Sequence, residues 1–275
     1  MAMPIDLVFV RHGQAEHNLA SKYSKLGDHS LYTEEFRARP PSQHRLTDLG
    51  RRQARAAGKW LKQNGFQQFD RRYVSDYIRA KETAAYLKVK GPDWLIDYLL
   101  REREWGDWDN LNWEQRSQKT AQSLDLRETD PFYWIPPNGE SMAQMTVRLR
   151  NLFNTLHREC AEMKVLVVCH GEVMWAFRQM VERLPLGKWA KLEQSKSPQD
   201  KIHNCQIIHY TRRNPKTGKL SQRLDWMRSV CPWDEALSSN NWQTINRRRF
   251  SDVELKAFVE RTKPLFKGIK QPKDW

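Results

Sequence analysis

Two short runs constrain this chain more than any other feature. IDLVFV (residues 5–10) and VLVVC (residues 165–169) are dominated by apolar, β-branched side chains and are too short for buried helices. Such a run is covered on both faces, so each belongs in a sheet sandwiched between layers. The first run delivers Arg11, His12 and Gly13, and the second delivers His170 and Gly171. In open α/β sheets, ligands gather beyond the carboxyl ends of the strands. The two histidines are therefore expected to share a pocket.

Strands are also expected at 72–75, 94–96 and 206–210. Helical spacing follows Thr47, a capping residue, with Leu49, Ala54, Ala57, Trp60 and Leu61 on one stripe and Gly65 as terminator. It recurs at Ile78, Ala80, Ala84, Ala85 and Leu87, and again from Ser141 through Met142, Met145, Leu149, Leu152, Phe153 and Leu156. Further helices are expected at about 172–184 and 252–262. Strands alternating with helices predict an α/β fold, a three-layer α/β/α sandwich with a mainly parallel central sheet.

Residues 1–212 are expected to form the catalytic domain. Within it, 19–45 reads as a long polar loop or cap, and 101–139 as loop with short helical pieces, both placed over the site. Residues 213–275 read as a basic extension packed on the core, with Arg247, Arg248, Arg249, Lys263, Lys267, Lys270 and Lys273.

The chain has 275 residues, 39% of them hydrophobic, with 12 Trp, which excludes a disordered protein. No apolar stretch is long enough to span a bilayer, and the N-terminus carries no cleavable signal pattern. The expectation is a cytoplasmic protein without membrane contact. Four scattered cysteines with no CxxC pair argue against a zinc ribbon and suit a reducing compartment. A formal net charge of +14 concentrates anions, whether phosphorylated substrates or nucleic acid.

The residues at the strand ends suit phosphoryl transfer. A neutral imidazole such as His12 can attack phosphorus. Arg11 offers a bidentate fork to the phosphoryl oxygens, and Gly13 leaves room for close backbone approach. By itself the RHG tripeptide is weak evidence. Its companions are VVCHGE at 167–172 and SDYIRAKETA at 75–84, which puts Arg79 in the first turn of a helix, where donors converge on anions.

Taken with LTDLGRRQA at 46–54, REREWGDW at 101–108 and PNGES at 137–141, these elements resemble the histidine phosphatase superfamily over roughly residues 4–210. That group includes cofactor-dependent phosphoglycerate mutase. The resemblance implies a phosphoglycerate mutase-like fold, with His12 as the phosphorylated nucleophile. It implies that Arg11, Arg79 and a protonated His170 complete the phosphate pocket. Gly13, Asn18 and Gly171 are assigned to substrate binding. Glu102 matches the general acid, with Glu104 and Asp107 close by. His17, His44, His203 and His209 match no role. Arg37, Arg39 and Trp108 are candidates for a substrate wall by placement alone. No metal and no cofactor is called for.

The function expected is hydrolysis of a phosphomonoester through phosphohistidine, on a phosphorylated small molecule or a phosphoprotein. One alternative is a phosphoglycerate mutase-type phosphotransferase. The further basic residues of mutases are matched only by scattered Arg116 and Lys119. The other is a nonenzymatic anion- or nucleic-acid-binding protein, suggested by the charge and by Arg247–Arg249 but lacking a nucleic-acid motif.

Overall fold

The computed structural model describes residues 2–119, 127–238 and 240–266; Lys267, Lys270 and Lys273 lie outside them. Seven strands form one sheet: β1 (Asp6–Arg11), β2 (Arg71–Ser75), β3 (Leu95–Asp97), β4 (Lys164–Cys169), β5 (Ile207–Thr211), β6 (Trp226–Val230) and β7 (Gln243–Thr244), in the order β3-β2-β4-β1-β5-β6-β7. β1, β2, β3 and β4 run parallel, and β5, β6 and β7 add an antiparallel flank.

Strand alternation builds the three layers. In β1, Leu7 and Phe9 enter one core, and Val8 and Val10 the other. In β4, Val165, Val167 and Cys169 point one way, and Leu166 and Val168 the opposite way. The first core is closed by two helices, whose Leu149, Leu152, Leu156, Val173 and Phe177 pack on the sheet. The second is closed by Ala54, Ala57, Leu61, Ala80, Ala84 and Leu87 from two others. This double cover is why the β1 and β4 sequences are apolar throughout.

In chain order the described helices are α1 (Glu16–Ser24), α2 (Glu34–Ala38), α3 (Asp48–Gln63), α4 (Ile78–Leu87), α5 (Trp113–Lys119), α6 (Met142–Glu159), α7 (Gly171–Glu182), α8 (Leu186–Gln194) and α9 (Asp252–Glu260). Thr47 caps α3 by accepting from the Gly50 N–H, and Ser141 caps α6 through a reciprocal box with Gln144. The segment read as a polar loop over 19–45 instead carries most of α1 and all of α2. Both were hidden because neither has an apolar stripe: α1 buries only Ala20 and Ser24, and α2 buries nothing. Thr33 caps α2 through the Phe36 N–H.

The strand–helix turn after β1 is set by close backbone approach. A Cβ on Gly50 would sit inside contact distance of the Gln14 carbonyl, and one on Gly13 would meet the Gly50 carbonyl. Because backbone cannot swing aside as a side-chain tip can, Gly50→Ala is expected to lower stability by about 1–3 kcal/mol. Urea unfolding followed by circular dichroism checks this; a parent-like midpoint would show that the turn yields freely.

Beyond residue 212 the chain adds β6 and β7 to the sheet edge. Arg247, part of the basic run, spends its guanidinium on the Val181 and Leu224 carbonyls and on Asp225 (2.8 Å), so it serves as a clamp rather than as free charge. All four cysteines are buried free thiols. No helix among the described residues is long and apolar enough to cross a membrane.

Candidate active site

β1 and β4 lie side by side and parallel, with Arg11 paired to Cys169 in register. Their ends therefore emerge together, and the His12 and His170 rings lie 5.1 Å apart, centroid to centroid. His12 is clamped on its backbone: its N–H donates to the Cys169 carbonyl (2.9 Å), and its carbonyl accepts from the Cys205 N–H and from Asn204.

The His12 ring has a defined tautomer. Its Nδ1 lies 2.7 Å from the Gly13 carbonyl oxygen, which can only accept, so Nδ1 carries the proton. Nε2 then holds the lone pair and accepts from Arg79 Nε at 3.2 Å. Burial first, then the charges of Arg79, His170 and Arg11, hold the His12 pKa well below the usual histidine value, so the ring is neutral.

Arg79 sits in the first turn of α4 and also donates to the Pro41 carbonyl (2.6 Å). Thr83, one turn on, accepts the Gly13 N–H (3.0 Å) and donates to the Arg79 carbonyl (2.7 Å). Gly13 therefore has both backbone groups occupied, its carbonyl by His12 and its N–H by Thr83. Gly13 does not line the cavity that Arg79 lines, and its lack of a side chain allows the close approach to Gly50.

His170 caps the N-terminal end of α7, and its Nε2 is 2.8 Å from Ser75 Oγ at the end of β2. Its Nδ1 is buried with no partner. Burial, then Arg79, lowers its pKa well below normal. Burial and the Arg79 charge thus favour the neutral ring. Gly171 leaves room for Arg11, since a Cβ there would lie 3.3 Å from Arg11 Nε. Arg11 donates to the Ile202 carbonyl (2.5 Å), while its buried Nε has no partner. Arg11 and Arg79 together line the cavity, and Arg11 Nε is a donor with no protein acceptor among the described residues.

Glu102 lines the cavity with Arg11, Arg79 and Gly171, and His12 and His170 are buried beside it. The Glu102 oxygen and the ring nitrogens of His12 and His170 all lie within 4.8 Å of one another. Burial, then the nearby Glu172 charge, raises its pKa to about 7, against the opposing pull of Arg79 and Arg11. Glu104 instead turns to Arg101 (3.0 Å) at the surface, and Asp107 to Asn138. His12, Glu102 and His170 have the spacing of a metal triad, but Arg11 and Arg79 flank it. Those charges oppose a cation and favour an oxyanion.

The cavity is about 350 Å³. Its outer wall carries Ser21, Tyr32, Phe36 and Pro41 from the 19–45 segment, and Trp105, Asp109 and Asn110 from the tryptophan-rich stretch. Of the three wall candidates named by placement, none lines it. Arg37 is spent on the Tyr32 and Asn110 carbonyls and on Gln115, Arg39 pairs with Glu35 and Glu16, and Trp108 is buried. Sequence reasoning missed His17, Tyr77, Arg103, Trp175, Glu193 and Lys201 on the wall. Tyr77 was within reach, since it lies inside the SDYIRAKETA segment. His17, Trp175 and Glu193 come from helices, and Arg103 and Lys201 from irregular segments, whose pocket-facing side only the packing defines.

The profile of the histidine phosphatase superfamily (branch 1) matches residues 7–217. A 2,3-bisphosphoglycerate-dependent phosphoglycerate mutase from Allorhizobium ampelinum is 31% identical over 65% of this chain and 80% of its own length. One from Methylorubrum populi is 29% identical over 68% and 84%. Among solved structures, a mycobacterial glucosyl-3-phosphoglycerate phosphatase is 27% identical with a TM-score of 0.57, covering 76% of this chain and 90% of that one. The alpha-ribazole phosphatase of Shigella flexneri, 20% identical, shares the fold with a TM-score of 0.57 over 79% and 95% of the two chains.

Proposed function

The chain belongs to the histidine phosphatase superfamily (branch 1), and from that premise we propose that it is a phosphomonoester hydrolase working through phosphohistidine on His12. The observation that carries this reading is the convergence of a neutral His12, Arg11, Arg79 and His170 with a carboxyl whose pKa is raised to about 7.

In this reading the phosphoryl dianion enters between Arg11 and Arg79. Its oxygens take the unpartnered Arg11 Nε and displace Arg79 Nε from the His12 lone pair. The dianion also reverses the local sign of charge, which favours a proton on His170. His12 Nε2 attacks phosphorus in line. Glu102, protonated through burial, gives its proton to the leaving oxygen. As carboxylate it then takes a proton from the water that attacks phosphohistidine, and inorganic phosphate leaves. The guanidiniums supply the charge stabilisation of the equatorial oxygens. Asn18 and Gly171 line the cavity beside this centre.

Mutase chemistry is the second reading, favoured by the names of the curated relatives. The cavity wall is mixed, with Asp109, Glu172 and Glu193 beside Arg103, Arg116 and Lys201, so the assay below decides between the two readings. We read the substrate as a phosphorylated small molecule or a phosphoprotein, met in the cytoplasm, with residues 1–212 carrying the chemistry and 213–275 as its basic extension.

The deciding experiment follows two reactions with the purified protein. Phosphate release from p-nitrophenyl phosphate is expected at a measurable rate. Isomerisation of 3-phosphoglycerate with 2,3-bisphosphoglycerate present is expected to stay at background. Rapid isomerisation with little hydrolysis would replace the phosphatase reading by the mutase one.

A further inference from the structure

His17 has no place in the chemistry above, yet its surroundings define it closely. It lines the cavity, and its ring lies 5.7 Å from the His12 ring, centroid to centroid. The rings of His170, His12 and His17 thus follow one another at 5.1 and 5.7 Å, and of the three His17 lines the cavity.

The proton on His17 can be located from its neighbours. The Ala15 backbone N–H donates to the Asn18 side chain at 3.0 Å, so the Asn18 atom there is its oxygen. The same oxygen accepts from Asn204 Nδ2 at 3.2 Å. The other end of the amide is then Nδ2, a donor, and it faces His17 Nε2 at 2.9 Å. His17 Nε2 must therefore accept, which leaves the ring proton on Nδ1. Burial, together with the charges of Arg79, His12, His44 and Arg11, lowers the His17 pKa well below normal, so no second proton competes. Nδ1 is shielded from solvent and meets no acceptor among the described residues.

A buried donor without an acceptor is costly, and native structures keep few of them without a purpose. Here the amide that fixes the tautomer is itself held by a backbone N–H and by Asn204, so the orphan donor is built in. Arg11 Nε, also a donor, has no partner among the described residues and belongs to the same cavity.

We infer that His17 is a third imidazole of the phosphate pocket, whose Nδ1–H donates to an oxygen of the bound phosphoryl group, with Asn18 fixing the donor tautomer. This rests on the phosphatase reading and adds a specific ligand contact to it.

The test uses the full chain, with inorganic phosphate and p-nitrophenyl phosphate as probes, and compares His17→Phe with His17→Gln. Phe keeps an aromatic ring of similar size but removes the donor; Gln gives up the ring and keeps an N–H. If His17 donates, His17→Phe weakens phosphate binding and lowers kcat/KM by about 10- to 100-fold, and His17→Gln recovers part of both. A residue that merely fills space gives the reverse order, with Phe better than Gln, and that order overturns the inference. Should either variant fold poorly, the wild-type protein labelled with ¹⁵N histidine gives an independent reading. The His17 Nδ1–H proton is expected to move downfield on adding phosphate, and an unmoved signal at saturation overturns the contact. Wild-type protein that binds no phosphate at all is a different result, because it removes the phosphatase reading together with this inference.

Discussion

Replacement of His12 by alanine is expected to reduce hydrolysis of p-nitrophenyl phosphate by about 10⁴-fold or more, the scale seen when a covalent nucleophile is removed. The size of the loss follows from the division of labour in the pocket. Arg11, Arg79 and His170 can bind and polarise a phosphoryl group, but the guanidiniums have no lone pair to give and His170 Nε2 is committed to Ser75. His12 has a lone pair to give, because its Nδ1 proton is held by the Gly13 carbonyl. Brief incubation with radiolabelled phosphomonoester should leave acid-labile label on the parent and none on the variant. The fold should survive, since the core packing comes from β1 residues such as Leu7 and Phe9 rather than from the imidazole. Circular dichroism checks that point, and His12→Asn, which leaves a smaller void, provides a second folded form. Hydrolysis at the parent rate in a folded variant would end the assignment.

Glu102→Gln is expected to split the two half-reactions. An alkyl phosphate needs a proton on its departing oxygen, so its transfer to His12 should slow by about 10²–10⁴-fold. p-Nitrophenolate leaves without help, so its burst should persist near the parent rate. Phosphoenzyme should then accumulate, because water attack has lost its base. The pH profile carries the same signature. Burial and the Glu172 charge raise the Glu102 pKa to about 7. Only the protonated form donates, so kcat/KM for an alkyl phosphate should fall as pH rises through about 7. The Gln variant should lack that limb. Equal losses for good and poor leaving groups, or an unchanged profile, would take the acid role away from Glu102.

Legibility in the sequence followed burial. β1 and β4 were readable because both faces of each are covered, which demands apolar residues at nearly every position. α3 and α6 were readable because one face of each meets a core and a capping threonine or serine marks the start. β6 was not. Its WMRSV buries only Met227 and Val230, so it has neither a continuous run nor a clean alternation. α8 escaped as well, because it buries only Trp189 and its pattern merges with the surrounding lysines. Among site residues, Arg11, His12, Arg79 and His170 were readable because each sits at a strand end or first helical turn inside a recognisable string. Lys201 and Glu193 were not, since nothing local distinguishes a pocket-facing lysine or glutamate from a solvated one.

The local pattern of the chain was enough to determine that two strands would end in histidines and that arginines would stand beside them. Hydrophobic patterning and glycine placement act over a few residues and can be read one segment at a time. The protonation states belong to the folded molecule alone. That Glu102 rather than Glu104 enters the cavity, that burial and the guanidiniums favour neutral His12 and His170, and that Asn18 sets the proton on His17 all depend on desolvation and on distances between groups up to 186 residues apart. Those quantities do not exist until the strands are side by side.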